Sequence, residues 1–207
     1  MPLYSVQKIG KNELLALWKM EENAAQLLSM FKMNEKQLIE YQSIKAENRK
    51  KEWLSVRLLL QHCIPQPFDL QHIETGKPFL KSTNHQISIS HSQNFVAIYL
   101  SDNQYIGIDI EKKRLQMEHL QSKFLHPLEN QNYTNDELLF LWCAKEVMYK
   151  IFSQKQPLMT QNLYISQINA DTQQAIGYFQ KKDSEQKVQL FYQNIEDNLL
   201  VWGKGNN

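Results

Sequence analysis

Tyr105-Ile106-Gly107-Ile108-Asp109-Ile110-Glu111-Lys112-Lys113-Arg114 alternates apolar and polar side chains from Ile106 to Glu111. A strand turns successive side chains to opposite faces, so Ile106, Ile108 and Ile110 form an apolar row on a core. Gly107, Asp109 and Glu111 share the other face, the two acids roughly 6.6–7 Å apart along the strand. Taken alone, an Asp-x-Glu pair is a solvated edge balanced by Lys112, Lys113 and Arg114, because charges mostly sit in water. Its meaning depends on what other segments bring to that face.

The 207 residues suffice for one large domain or two small ones with a real core. With 23 basic against 22 acidic residues there is no overall basic footprint for nucleic acid. The 42% hydrophobic and 11% aromatic content is that of a globular chain. Cys63 and Cys143 stand far apart, as reduced core thiols would in a cytoplasmic protein. No apolar run approaches a membrane span, and the expectation is a soluble chain with no membrane partner.

Upstream, Leu3 to Ile9 reads as a strand and Lys11 to Trp18 as a short helix capped by Asn12. Ala24 to Phe31 is a second helical patch. From Asn34, with Gln37 completing a capping box, one longer helical pattern runs to about His62. Its polar side carries Arg49 and Arg57, either a solvated basic face or a holder of phosphate. Gly76 permits a tight turn, and Pro78 keeps Lys77 extended before a Phe79-Leu80 strand. Ile87 to Ser92 and Phe95 to Leu100 form a hairpin, with Ser90, His91 and Ser92 at its turn.

Downstream of the acids, Leu115 to Leu125 reads as a helix, and His126-Pro127 breaks it ahead of Glu129. A long helix spans about Asn135 to Phe152, with Asp136 favourably placed in its first turn. Trp142, Glu146 and Lys150 lie four apart on it and form one stripe. Strands follow over 162–168, 175–180, 187–192 and 199–202, separated by hairpin turns that include Lys182-Asp183-Ser184. Helices and antiparallel strands segregate, so the fold class is α+β, with halves 1–101 and 102–207 joined near Ser101. Six glycines supply neither a dinucleotide fingerprint nor a phosphate-binding loop.

Asp109, Glu111 and Glu146 are candidates for one metal, and carboxylates without Cys or His favour magnesium. Arg49, Arg57, Lys77, Lys145 and Lys150, with the Ser90-His91 corner, would suit a substrate carrying several phosphates. The plain alternative is an i,i+4 surface pair of Glu146 with Lys150, worth about 0.2–0.5 kcal/mol.

Gly107-Ile108-Asp109-Ile110-Glu111 followed by Trp142-Cys143-Ala144-Lys145-Glu146-Val147-Met148-Tyr149-Lys150 resembles the 4′-phosphopantetheinyl transferase superfamily. Gly76-Lys77-Pro78 and Ile89-Ser90-His91-Ser92 match two further motifs of its monomeric, surfactin-synthetase-activating type. The four motifs cover positions 76 to 150. The resemblance implies two similar α+β halves related by pseudo-twofold symmetry, with coenzyme A in the cleft between them. It implies transfer of the phosphopantetheine arm to a carrier-protein serine, with release of 3′,5′-ADP. Asp109, Glu111 and Glu146 would hold magnesium against the pyrophosphate, and Lys150 would offset charge developing there. Lys77 and Pro78 would line the adenine pocket, Ser90 and His91 would hold the 3′-phosphate, and Lys145 would contact phosphate or a loop. Arg49 and Arg57 match the family's basic positions loosely. Glu129, in a stretch resembling Phe-Phe-x-x-x-Glu, matches a candidate general base, though its loop equally suits a surface acid. Met117 to Phe124 is either a docking face for an acidic carrier or an ordinary amphipathic helix. A coenzyme A-binding module without turnover and another magnesium-dependent phosphoryl-transfer enzyme remain alternatives.

Overall fold

Leu14-Leu15-Ala16-Leu17-Trp18, expected in a helix, lies in a strand. In the computed structural model, which describes residues 3–206 except 82, 114, 115, 130 and 183, β1 (Leu3–Gly10) and β2 (Glu13–Lys19) form a hairpin. The strand β2 also pairs antiparallel with β6 (Phe95–Ser101), so both of its edges are satisfied. Leu15 and Leu17 enter one apolar cluster, Ala16 and Trp18 another. A strand buried on both faces has no polar side, and its run of leucines is indistinguishable from helix by spacing.

The chain continues through α1 (Ala24–Met30), α2 (Glu35–Ser43) and α3 (Glu47–Cys63). The expected capping box forms: Asn34 Oδ1 accepts from the Gln37 amide at 2.9 Å and Gln37 Oε1 from the Asn34 amide at 3.0 Å. The single long helix does not. Ile44 is extended (φ −77°, ψ 118°), and α3 starts afresh at Ala46 without a side-chain cap. The break separates two different faces. Helix α2 buries none of its residues, whereas α3 buries Leu54 through Leu60 against the sheet. Next come β3 (Leu70–His72), which periodicity does not reveal, β4 (Pro78–Leu80) and β5 (Gln86–His91). Gly76 turns the chain between β3 and β4 with φ +83°, a conformation that side chains resist.

The first sheet has the order β1-β2-β6-β5. The second, β7-β11-β10-β9-β8, is built from β7 (Ile106–Lys112), β8 (Leu163–Asn169), β9 (Gln174–Lys181), β10 (Ser184–Ile195) and β11 (Asn198–Gly205). Every ladder among the described residues is antiparallel, and the fold is α+β. Between β7 and β8 lie 3-10 turns at Met117–Lys123 and Pro127–Glu129, α4 (Asn135–Phe152) and α5 (Met159–Asn162). Arg114, at the end of the stretch that opens the sequence, Leu115, the first residue of the expected helix, and Asp183 of the expected turn lie outside the described residues. The described part of the expected helix forms 3-10 turns instead, with Met117 and Phe124 buried.

Three apolar clusters set the layers. One lies between α1, α3 and the first sheet, and one between α4 and the second sheet. The third joins Leu15, Leu17 and Phe95 to Ile106, Ile108, Ile110 and Leu200. The isoleucine row of β7 lies on a core, as its alternation predicts, and that core is the seam between the sheets. The opposite face of β7 looks at α4.

Candidate active site

Glycine decides how close α4 comes to that face. A Cβ added at Gly107 would stand far inside contact distance of the Val147 carbonyl oxygen, and Gly203, its partner across the β7–β11 ladder, also lies beneath Val147. Without side chains there, the turn of α4 that carries Glu146 and Lys150 settles against β7. The helix is held at its start by a capping box between Thr134 and Glu137.

Asp109 is 5% exposed. Its Oδ1 accepts from Ser90 Oγ at 2.8 Å and from Lys150 Nζ at 2.9 Å. Lys150 Nζ also donates to the Ile108 carbonyl at 2.6 Å. Among the described residues, Asp109 Oδ2 is buried without a hydrogen-bond partner. Glu146 is half-buried, and its carboxyl is held above the ordinary carboxylate range by burial first, then by the charge of Asp109. Lys150 opposes that rise and Glu111 adds to it. Behind them the buried Cys143 thiol is pushed well up by burial and by Asp109 and Glu111. The charges of Asp109 and Glu111 thus act against ionisation of Glu146, and the ammonium of Lys150 acts for it.

Such an arrangement suits a hard divalent cation. The donors are oxygens, and one of them is orphaned among the described residues. No group of three or more His, Cys, Asp or Glu stands already gathered as a cage among the described residues. A cation taking few protein ligands and completing its shell with water and phosphate does not need one.

The neighbouring strand β5 supplies the second wall. Ser88 Oγ accepts from the Ile108 amide at 3.1 Å, and Ser90 reaches Asp109. Of the two hydroxyls, sequence motifs single out Ser90 alone. The alternation Ile87-Ser88-Ile89-Ser90 nevertheless places both on one face. A cavity of about 200 Å³ opens here between Gly76, Lys77 and Pro78 on one side and Ile106, Tyr149 and Lys150 on the other. Burial lowers the Lys77 ammonium below its ordinary range. A second cavity, about 470 Å³, shares Gly76, Pro78 and Ile89 with the first and is lined by Arg49, Arg57 and His91.

The two arginines differ sharply. Arg49 Nη1 donates to Glu52 at 2.8 Å and lies 3.0 Å from His91 Nε2, on an open rim. Arg57 is 4% exposed, stacked 3.3 Å from the Trp53 ring centre and paired with Glu40 at 3.1 Å. Burial brings its guanidinium down to about 10, against the pull of Glu40. Glu52, Trp53 and Glu40 do not stand out in the sequence. Nothing in their spacing marks them, since each is ordinary on a helix surface.

Lys145 and Glu129 stand apart from this group. Lys145 Nζ is fully buried, 2.5 Å from Glu129 Oε2 and 2.5 Å from the Phe124 carbonyl, so it contacts the loop. The Glu129 side chain is 2% exposed, and both of its oxygens hold protein donors.

No protein-family model matches the chain. A segment of 64 residues is 38% identical to the 4′-phosphopantetheinyl transferase AcpT of Escherichia coli O157:H7. It covers 30% of this chain and 33% of that relative, so the match spans about a third of the relative's length. Within that span, the likeness supports kinship with the phosphopantetheinyl transferase superfamily.

Proposed function

We propose that this protein transfers the 4′-phosphopantetheine arm of coenzyme A to a serine hydroxyl of an apo acyl or peptidyl carrier protein, releasing 3′,5′-ADP. The observation that carries the reading is the meeting of Asp109, Glu146 and Lys150 beside the cavity walled by Gly76-Lys77-Pro78. Oxygen donors, an orphaned buried carboxylate oxygen and an ammonium at the mouth of a cavity suit a pyrophosphate with its counter-ion. The partial likeness to AcpT supports the same chemistry.

Asp109, Glu111 and Glu146 would hold magnesium, which supplies neutralisation of the pyrophosphate oxygens when bound. The serine oxygen attacks the β-phosphorus, the bond to the leaving 3′,5′-ADP breaks, and the serine proton passes to water. Lys150, one turn beyond Glu146, stands where charge grows on the leaving oxygens. Lys77 and Pro78 wall the base, while His91 and Arg49 on the wider cavity, with Ser90 adjoining His91 on β5, suit the 3′-phosphate. Arg57, locked between Trp53 and Glu40, holds that wall and adds positive potential from behind. The halves 1–101 and 102–207 meet at this cleft, and the pseudo-twofold arrangement belongs to the same reading. A monomer working in the cytoplasm, with Met117 to Phe124 meeting an acidic carrier, completes it. Among the described residues, no helix is long and apolar enough to cross a membrane.

Mixing the protein with coenzyme A, magnesium and apo carrier, then weighing the carrier, tests the proposal. The expected result is a mass gain equal to one phosphopantetheine, lost when magnesium is chelated. No gain across several carriers sinks the transferase. Retained coenzyme A binding in that case selects the non-catalytic module, and phosphoryl transfer to another acceptor selects a different magnesium enzyme.

A further inference from the structure

Glu129 is the residue whose sequence context suggests a proton acceptor, yet its carboxylate faces inward. Oε1 accepts from the Ile165 amide at 2.7 Å. Oε2 accepts from the His126 amide at 2.8 Å and from Lys145 Nζ at 2.5 Å. Lys145 Nζ in turn donates to the Phe124 carbonyl at 2.5 Å and lies 3.4 Å from the Met159 carbonyl. One ion pair thus gathers the 3-10 turns, the start of α5 and strand β8 onto α4. A general base needs a lone pair within about 2.6–3.2 Å of the proton it takes. With the Glu129 and Lys145 side chains 2% and 0% exposed, no approach for a serine hydroxyl opens.

Lys145 and Glu146 are consecutive on α4, about 100° apart around the helix axis. Fixing the heading of one fixes the heading of the other. Lys145 is tethered on one side, and on the other Glu146 falls within electrostatic reach of Asp109.

We propose, resting on the transferase reading above, that Glu129 is a positioning residue. Its carboxylate fixes Lys145, and through Lys145 the rotation of α4 that turns Glu146 toward Asp109. It does not receive the serine proton.

The test is a double-variant cycle in the full chain: Glu129→Gln, Lys145→Met and both together. Five quantities are read: melting temperature, kcat and KM for transfer to apo carrier, the pH dependence of kcat, and Mn²⁺ binding without coenzyme A. Each single variant strands a buried partner, so melting temperature, kcat and Mn²⁺ affinity fall together. The double variant removes both charges and recovers most of all three, with the pH dependence of the parent. A residue that accepts the proton cannot be rescued by deleting its partner lysine. A double variant that melts like the parent but stays as slow as Glu129→Gln overturns the proposal. So does a Glu129→Gln variant that keeps its melting temperature and Mn²⁺ affinity but loses the acid limb of its pH profile. If the single variants do not fold, the double variant decides alone, and a double variant that does not fold also counts against the proposal. If the parent transfers nothing, the transferase reading fails, while the cycle in Mn²⁺ affinity still decides whether Glu129 orients α4.

Discussion

Two lysines five residues apart on α4 each meet a carboxylate, and their surroundings differ in every respect that matters. Around Lys145–Glu129 all donors and acceptors close on one another, and the side chains are 0% and 2% exposed. Around Lys150–Asp109 the lysine is 28% exposed at a cavity, and one carboxylate oxygen has no partner among the described residues. A buried pair with every bond made has no capacity left for a ligand, and it orients the chain. A pair left incomplete beside a cavity keeps unused acceptor strength, which is what a binding site needs. Closeness of charge alone would rank the first pair above the second; counting satisfied atoms reverses the ranking.

Breaking the sealed pair should cost most. Lys145→Met leaves Glu129 charged and buried, and loses about 3–5 kcal/mol of stability. Chemical denaturation measures it, and a loss under about 1 kcal/mol would mean that water reaches the pair. At the open pair, Asp109→Ala should slow transfer by about 10²–10³-fold, the usual scale for removing one charge-stabilising group. Circular dichroism should be unchanged, because the apolar row of β7 remains. Undiminished transfer would remove Asp109 from the metal site.

The distance between helix and strand is tested next. Gly107→Ala drives a methyl into the Val147 carbonyl, and overpacking of this kind costs about 1–3 kcal/mol. It should weaken Mn²⁺ binding as well, because the turn that moves carries Glu146 and Lys150. Gly177→Ala is the control: there the added carbon meets the Met148 side chain, which can swing away. Equal metal affinity in the two variants would separate helix depth from the site.

The smallest effect has the opposite sign. Glu146 has a folded-state pKa raised above its ordinary 4.5, so the folded protein binds that proton more tightly than the unfolded one. Stability from this group is present below pH 4.5 and is lost as pH rises through the folded value. Glu146→Gln should therefore melt higher than the parent at neutral pH without metal, by about 2–4 °C if the relieved repulsion is about 1 kcal/mol. Parallel melting curves against pH for the two proteins would refute it.

Much of the site is legible in the chain's local patterns. The alternation of β7 puts Ile106, Ile108 and Ile110 on a core and the acids opposite. The spacing of four residues places Glu146 and Lys150 on one helix face. Patterns of this kind survive folding because period 2 and period 3.6 are imposed by the backbone itself. Other features are not legible, for a shared reason. Residues 14–18 form a strand because β1 and β6 lie on either side, and a two-sided apolar run has no period. Ser88 matters through the amide of Ile108, twenty residues on. Glu129, which its motif context makes a base or a surface acid, and Lys145, which it sets at phosphate or a loop, meet each other inside the protein.

By itself, then, the sequence determined which residues face together within each element: the acids on one side of β7, the basic and acidic stripe on α4, the hydroxyls on β5. These follow from backbone geometry over a few residues. Only the tertiary structure decided which elements meet, how deeply α4 sits on Gly107 and Gly203, and which of its two lysines is sealed and which stays open. Those depend on packing between segments far apart in the chain, where the energy lies in atoms shared across elements and not in any one stretch.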